Sequence, residues 1–232
     1  MDLVLDGIAK AFVLVFTLDP DVVRITLLSL GVSGTATLVA VVLGVSAGTS
    51  LALARFPGRE AVIGLVNTAM GLPPVVVGLF VALMLWRSGP LGALGIIYTP
   101  AAMIVAQAVL AFPIVTGITL ATMQQIPPGF RLQVLALGAT RWQMVLVLIR
   151  ETRLTLLAAV MAGFGGAISE IGASIMVGGN IKGHTRILTT AIVTETSRGH
   201  FDTAIALGIV LFVLALAVTL VLTRVQQDRR PR

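Results

Sequence analysis

Long stretches of this chain carry no charged side chain, among them Ile25–Ala54, Ala61–Trp86 and Thr203–Thr223, of 30, 26 and 21 residues. A bilayer core about 30 Å thick is crossed by about 20 apolar residues in helical form, because a helix satisfies its own backbone hydrogen bonds without water. Each stretch is long enough to cross. The composition agrees: 57% of the 232 residues are hydrophobic and 11% are charged, with a mean hydropathy of +1.03. A soluble domain carries about 25% charged residues, so this chain has too few to cover a water-facing surface. Disorder is excluded as well, since disordered segments are poor in apolar residues. The expected class is an all-α polytopic membrane protein.

Several chemistries are set aside by what is missing. Without cysteine there is no disulfide, thiolate metal site or thiol nucleophile. His184 and His200 are too few to build a histidine metal centre. No HExxH, GxSxG, Walker A or GxGxxG element occurs, so neither an enzyme active site, a cofactor site nor an ATP cradle is expected. The net charge of +6 and pI near 11.3 come without a basic run interleaved with aromatics, which argues against nucleic acid. In a membrane protein such charge more often sets orientation. Nor does the start read as a signal peptide: Asp2 and Asp6 stand where a positive region belongs, and Lys10 interrupts the apolar stretch.

Along the chain, residues 1–24 read as an N-terminal interfacial segment. Asp2, Asp6 and Lys10 are spaced four apart on one helical face, with Leu3, Leu5, Ile8, Phe12 and Phe16 on the rest. Asp19-Pro20 ends it, and a further span is the rival reading. Residues 25–223 form the transmembrane domain, with five spans: about Ile25–Ala54, Ala61–Leu85, Thr99–Thr122, Leu154–Val177 and Thr203–Thr223. Small residues of the first span (Ser29, Gly31, Ser33, Gly34, Gly44, Ser46, Gly48) suit close helix contact in lipid. Pro73-Pro74 deletes two helix hydrogen bonds, so the second span is expected to kink or break near mid-membrane. Trp86 and Tyr98 read as aromatic anchors at one interface. Between spans three and four lies a polar loop, 124–153, in which Arg131–Gln143 reads as one short helix. Gly178–His200 is a loop with an amphipathic turn or two at Ile187–Thr196, and 224–232 is a basic tail.

With the tail inside, the inner side carries ten Lys/Arg and the outer side six, the latter matched by six acids. The positive-inside rule then places the N-terminus outside and the C-terminus in the cytoplasm of a cell-membrane protein. Glu170 is the one ionisable residue deep in a span. A buried acid there costs several kcal/mol unless paired, protonated or facing a polar cavity, which makes it a pathway or gate candidate. The bland alternative is an acid satisfied by helix-end amides or by a hydroxyl such as Ser169. No lysine or arginine lies within a span, so the membrane core offers no fixed cation to trap an anion; hydroxyls and broken-helix amides suit a permissive path. In the inner loop, Leu132, Val134, Leu135, Leu137 and Trp142 are too apolar for a free loop between arginines. They call for a partner, either lipid or a cytosolic protein.

The segment Leu132-Gln133-Val134-Leu135-Ala136-Leu137-Gly138-Ala139-Thr140-Arg141-Trp142 resembles the cytoplasmic EAA loop of ABC importer permeases. Gly138 and Ala139 match its central glycine and neighbour, while Leu132-Gln133-Val134 replaces Glu-Ala-Ala and Arg150-Glu151 replaces Leu-Pro. Gly71-Leu72-Pro73-Pro74-Val75-Val76-Val77-Gly78-Leu79 and Ser169-Glu170-Ile171-Gly172-Ala173-Ser174 resemble the second and fourth spans of molybdate- and tungstate-type permeases. The run Gly179-Asn180-Ile181-Lys182-Gly183-His184-Thr185-Arg186-Ile187-Leu188-Thr189-Thr190 is most similar to the tungstate branch.

The resemblance implies a type I permease fold and a homodimer in membrane lipid. It also implies a cytosolic ATPase subunit pair and an extracytoplasmic solute-binding protein as partners. Arg131, Gln133, Gly138, Ala139, Arg141 and Trp142 would then couple to the ATPase. Pro73, Pro74, Gly78, Ser169, Glu170, Gly172, Ala173 and Asn180 would line the path or gate. Tungstate is the expected cargo, with molybdate or sulfate as the near alternatives; a stand-alone anion carrier and a membrane scaffold are the rival classes.

Overall fold

The computed structural model describes residues 2–17 and 19–227; the end of the basic tail, 228–232, lies outside them. Among the described residues the chain is helical without strands. Helix α1 (Asp2–Phe16) leads into α2 (Pro20–Leu53), followed by α3 (Arg59–Ala69), α4 (Pro74–Leu85) and α5 (Pro100–Gln124). On the far side of α5 come α6 (Pro128–Ala136), α7 (Arg141–Glu151), α8 (Arg153–Ile168), α9 (Gly172–Gly178), α10 (Leu188–Ser197) and α11 (Phe201–Gln227).

Three of these, α2, α5 and α11, are each long and apolar enough to cross a bilayer alone. Two further crossings are broken pairs: α3 and α4 meet at 105°, and α8 and α9 at 59°. The count of five expected spans therefore holds if each bent pair is one crossing. The first break falls at Pro73-Pro74, where Pro74 opens α4 at a position whose missing N–H costs nothing. Pro113, by contrast, sits inside an unbroken α5.

Two boundaries differ from expectation. Asp19-Pro20 starts a helix as well as ending one: the Asp19 carboxylate accepts the amides of Asp21 (3.0 Å) and Val22 (3.1 Å), so α2 begins five residues earlier than hydropathy alone placed it. The polar loop 124–153 is two helices. Gly138 has φ +87° and ends α6, and Thr140 caps α7 through a reciprocal pair with Gln143.

The centre is α2 against α5, brought close by glycines. A Cβ on Gly44 would stand 2.9 Å from Val115, and one on Gly48 would stand 2.6 Å from the Thr116 carbonyl. Lipid gives no hydrophobic drive to such pairs, so contact distance decides their strength. Ser29 and Ser33 are buried with them, whereas Gly31 and Ser46 face outwards. Helix α1 runs antiparallel to the start of α11, with Gly7 against Ile205 and Lys10 bonded to Asp202 (2.6 Å) and Thr203 (2.7 Å). Trp86 and Tyr98 meet edge to face with ring centres 6.2 Å apart.

Candidate functional site

The two half-helices α4 and α9 touch backbone to backbone. An ideal Cβ on Gly78 would lie 2.5 Å from the Ala173 Cα, and one on Gly172 would lie 2.6 Å from Val75 Cγ2. The pairs advance together, Val75 with Gly172 and Gly78 with Ala173 and Met176, so the half-helices run parallel from breaks at one level. Discontinuous helices of this kind leave backbone polar groups unpaired in the membrane, which is tolerated only against protein or a wet cavity.

Glu170 occupies the second break and is 7% exposed. Its Oε1 accepts the Ala173 amide at 2.7 Å, which satisfies one N–H in the first turn of α9. Of the two ways the sequence left to satisfy a buried acid, the helix-end amide is the one made. The Ser169 hydroxyl turns away and donates to the Gly165 carbonyl (2.8 Å), with Ser169 itself exposed. The Glu170 carbonyl accepts from Thr189 Oγ1 (3.0 Å), and the Leu188 amide donates to Ser29 Oγ (2.8 Å). Helix α10 thus ties the break to α2.

Pro73, Pro74, Gly78, Glu170, Gly172 and Ala173 are therefore brought together, and Asn180 is not. It lies beyond the other end of α9 with φ +50°, its Nδ2 donating to Thr194 Oγ1 (2.7 Å) and its Oδ1 accepting from Arg186 Nε (3.3 Å). One polar residue escaped the sequence reading. Gln107, fully buried in α5, donates from Nε2 to Ser174 Oγ at 3.1 Å and so joins α5 to α9. Its signal was a lone amide in an apolar span, a cost that packing in lipid repays only with a partner.

At the elbow between α5 and α8, α6 and α7 bury one face, with Phe130, Met144, Leu148 and Ile149 against Met123, Ile126 and Leu156. The opposite face is open: Leu137 is 88% exposed, and Leu132 and Trp142 about two-thirds. Gln133, Gly138 and Arg141 are exposed as well, and Ala139 is half-buried. Arg131 points the other way, donating to the Met123 carbonyl (2.7 Å) at the end of α5, where a cation suits the helix dipole.

Residues 40–231 match the family described as the binding-protein-dependent transport system inner membrane component. The chain belongs to this family. The permease is 38% identical over 228 residues to the tungstate uptake system permease protein TupB of Peptoclostridium acidaminophilum, covering 98% of this chain and 100% of that one. It is 40% identical over 214 residues to a probable anion ABC transporter permease protein of Haloferax volcanii, covering 90% and 92%. Identity to the molybdenum transport system permease protein ModB of Escherichia coli (strain K12) is 26% over 218 residues, covering 89% and 95%. Identity to the tungstate uptake permease is thus higher than to the molybdenum one.

Solved structures share the fold. A bacterial ABC transporter involved in import of the acidic polysaccharide alginate aligns with a TM-score of 0.77 at 21% identity, covering 96% of this chain and 84% of that one. The MetNI methionine ABC transporter aligns with a TM-score of 0.73 at 21% identity, covering 93% and 99%. The permease therefore has the fold of ABC importer permeases and is a membrane-spanning subunit of that class.

Proposed function

We infer that this permease translocates tungstate as a homodimer. An extracytoplasmic binding protein hands over the oxyanion, and a cytosolic ATPase pair, docked on the α6–α7 elbow, drives alternating access. The N-terminus is outside and the C-terminus inside. What carries the cargo reading is the 38% identity to a tungstate uptake permease along the whole of both chains. The carriage itself suits the broken pairs: α4 and α9 meet through glycine and alanine, so they shift as one piece against α5 when the elbow moves. Glu170, held by the Ala173 amide, keeps its charge out of the anion's way.

Selectivity rests with the binding protein, since no lysine or arginine stands within a span. Calorimetry of that partner with tungstate, molybdate and sulfate tests the cargo. Tungstate is expected to bind at least about tenfold tighter, which is about 1.4 kcal/mol; equal affinities would remove the assignment. The elbow has its own test. Gly138→Val forces a β-branched residue to φ +87°, at a cost of about 1–3 kcal/mol in local strain. Co-purification of the ATPase should fall while the helical content measured by circular dichroism stays. An undiminished complex would place the contact elsewhere.

A further inference from the structure

We propose that Arg186, aimed by Asn180 and Thr194 and assisted by Arg24, forms a receiving site for a tetrahedral oxyanion at the outer mouth of the permease. The site rests on the tungstate-import reading for its cargo and its side of the membrane.

The outer cations fall into two groups. Lys10 pairs with Asp202, Lys182 with Asp21 (2.9 Å) and Arg198 with Glu195 (3.2 Å). Arg24, Arg87 and Arg186 have no carboxylate within salt-bridge distance among the described residues. Two of these three share a corner. Arg24 and Arg186 both act electrostatically on the Asp21 carboxylate, and the Arg24 guanidinium borders Gly183, three residues before Arg186. The nearby acids are already engaged. Asp19 holds the amides of Asp21 and Val22, Asp21 holds Lys182, and Glu195 holds Arg198 and His200. The His200 hydrogen bond is the main cause keeping the Glu195 carboxyl below the usual range, with Arg198 and, more weakly, Arg186 adding to it.

The loop that presents Arg186 is a rigid knot. The Ile181 carbonyl accepts the amides of His184, Thr185 and Arg186, while Thr185 Oγ1 donates to the Gly178 carbonyl and accepts the Ile181 amide. Within it, Thr194 Oγ1 holds Asn180 Nδ2, and Asn180 Oδ1 holds Arg186 Nε. That chain fixes the half-buried guanidinium by its inner nitrogen and leaves both terminal nitrogens without a partner among the described residues. A planar fork with two free donors matches two oxygens of an oxyanion. The function of the glycine-rich run from Gly179 to Arg186 is then to build this site. A span interior without cations needs such a stage at its entrance, where the field can draw a dianion from its carrier.

The test uses the full-length purified permease and radiolabelled tungstate in equilibrium dialysis at low ionic strength. The wild type is expected to bind tungstate, with molybdate competing. R186Q should weaken binding about tenfold or more and R24Q, at an exposed position, about threefold. Thr194→Val leaves both charges in place and should still weaken binding, because the fork loses its support. No binding by the wild type, or equal binding by the wild type and both arginine variants, overturns the site. So does a loss in R186Q confined to retention of phosphatidylglycerol or of the binding protein, which would make the patch a lipid or protein contact. Uptake into vesicles carrying all partners separates the two claims. A wild type that imports no oxyanion yet shows Arg186-dependent binding defeats the functional reading and leaves the site. Equal uptake and equal binding by wild type and R186Q defeat the site alone.

Discussion

Gly78→Val is expected to be among the most damaging single changes in this chain. Its Cβ would fall 2.5 Å from the Ala173 Cα and 3.0 Å from the Ala173 Cβ, so no side-chain rotation relieves it. The half-helices must separate, at a cost of about 3 kcal/mol or more, the upper end for overpacking. Thermal unfolding of the detergent-solubilised protein should show a clear drop, and uptake should be lost. Gly31→Ala is the control: nothing lies within 4 Å of its Cβ, and helix propensity favours the change by about 1 kcal/mol. Equal stability for Gly78→Val and the parent would mean that α4 and α9 do not touch as described.

The second large effect is at Glu170. Glu170→Ala removes the acceptor of the Ala173 amide and leaves a buried donor unpaired. The expected loss is about 2–3 kcal/mol, the range for a hydrogen bond to a charged group plus the unsatisfied partner. Glu170→Gln keeps a carbonyl oxygen at the same place and should lose about 1 kcal/mol at most. If glutamine supports normal assembly and uptake, the side chain acts as a helix-start acceptor and its charge is dispensable to transport. If both variants assemble but neither transports, the charge itself belongs to the gate.

The sequence revealed the crossings because charge-free runs and tandem prolines are local signals. Pro73-Pro74 marks one break, whereas the break at Glu170 falls in a stretch without proline that reads as one continuous span. The elbow between α5 and α8 reads in sequence as one short helix, Arg131–Gln143, with few acids. The turn at Gly138 depends on a left-handed φ that no spacing displays. The capping pair of Thr140 and Gln143 was the available clue to a new start. Asn180 was assigned to the path with its neighbours, yet its side chain bonds to Thr194, fourteen residues on, a pairing that only the folded loop creates. Gln107 and Ser174 meet across 67 positions for the same reason.

The central claim is that this chain is a doorway opened by force applied from the cytoplasmic side. Tungstate uptake into proteoliposomes tests it most directly, with permease alone, permease plus ATPase, and permease with ATPase and loaded binding protein. The account predicts ATP-dependent accumulation in the complete system only. Accumulation by the permease alone, with neither partner nor ATP, would contradict it and make the chain a self-sufficient carrier.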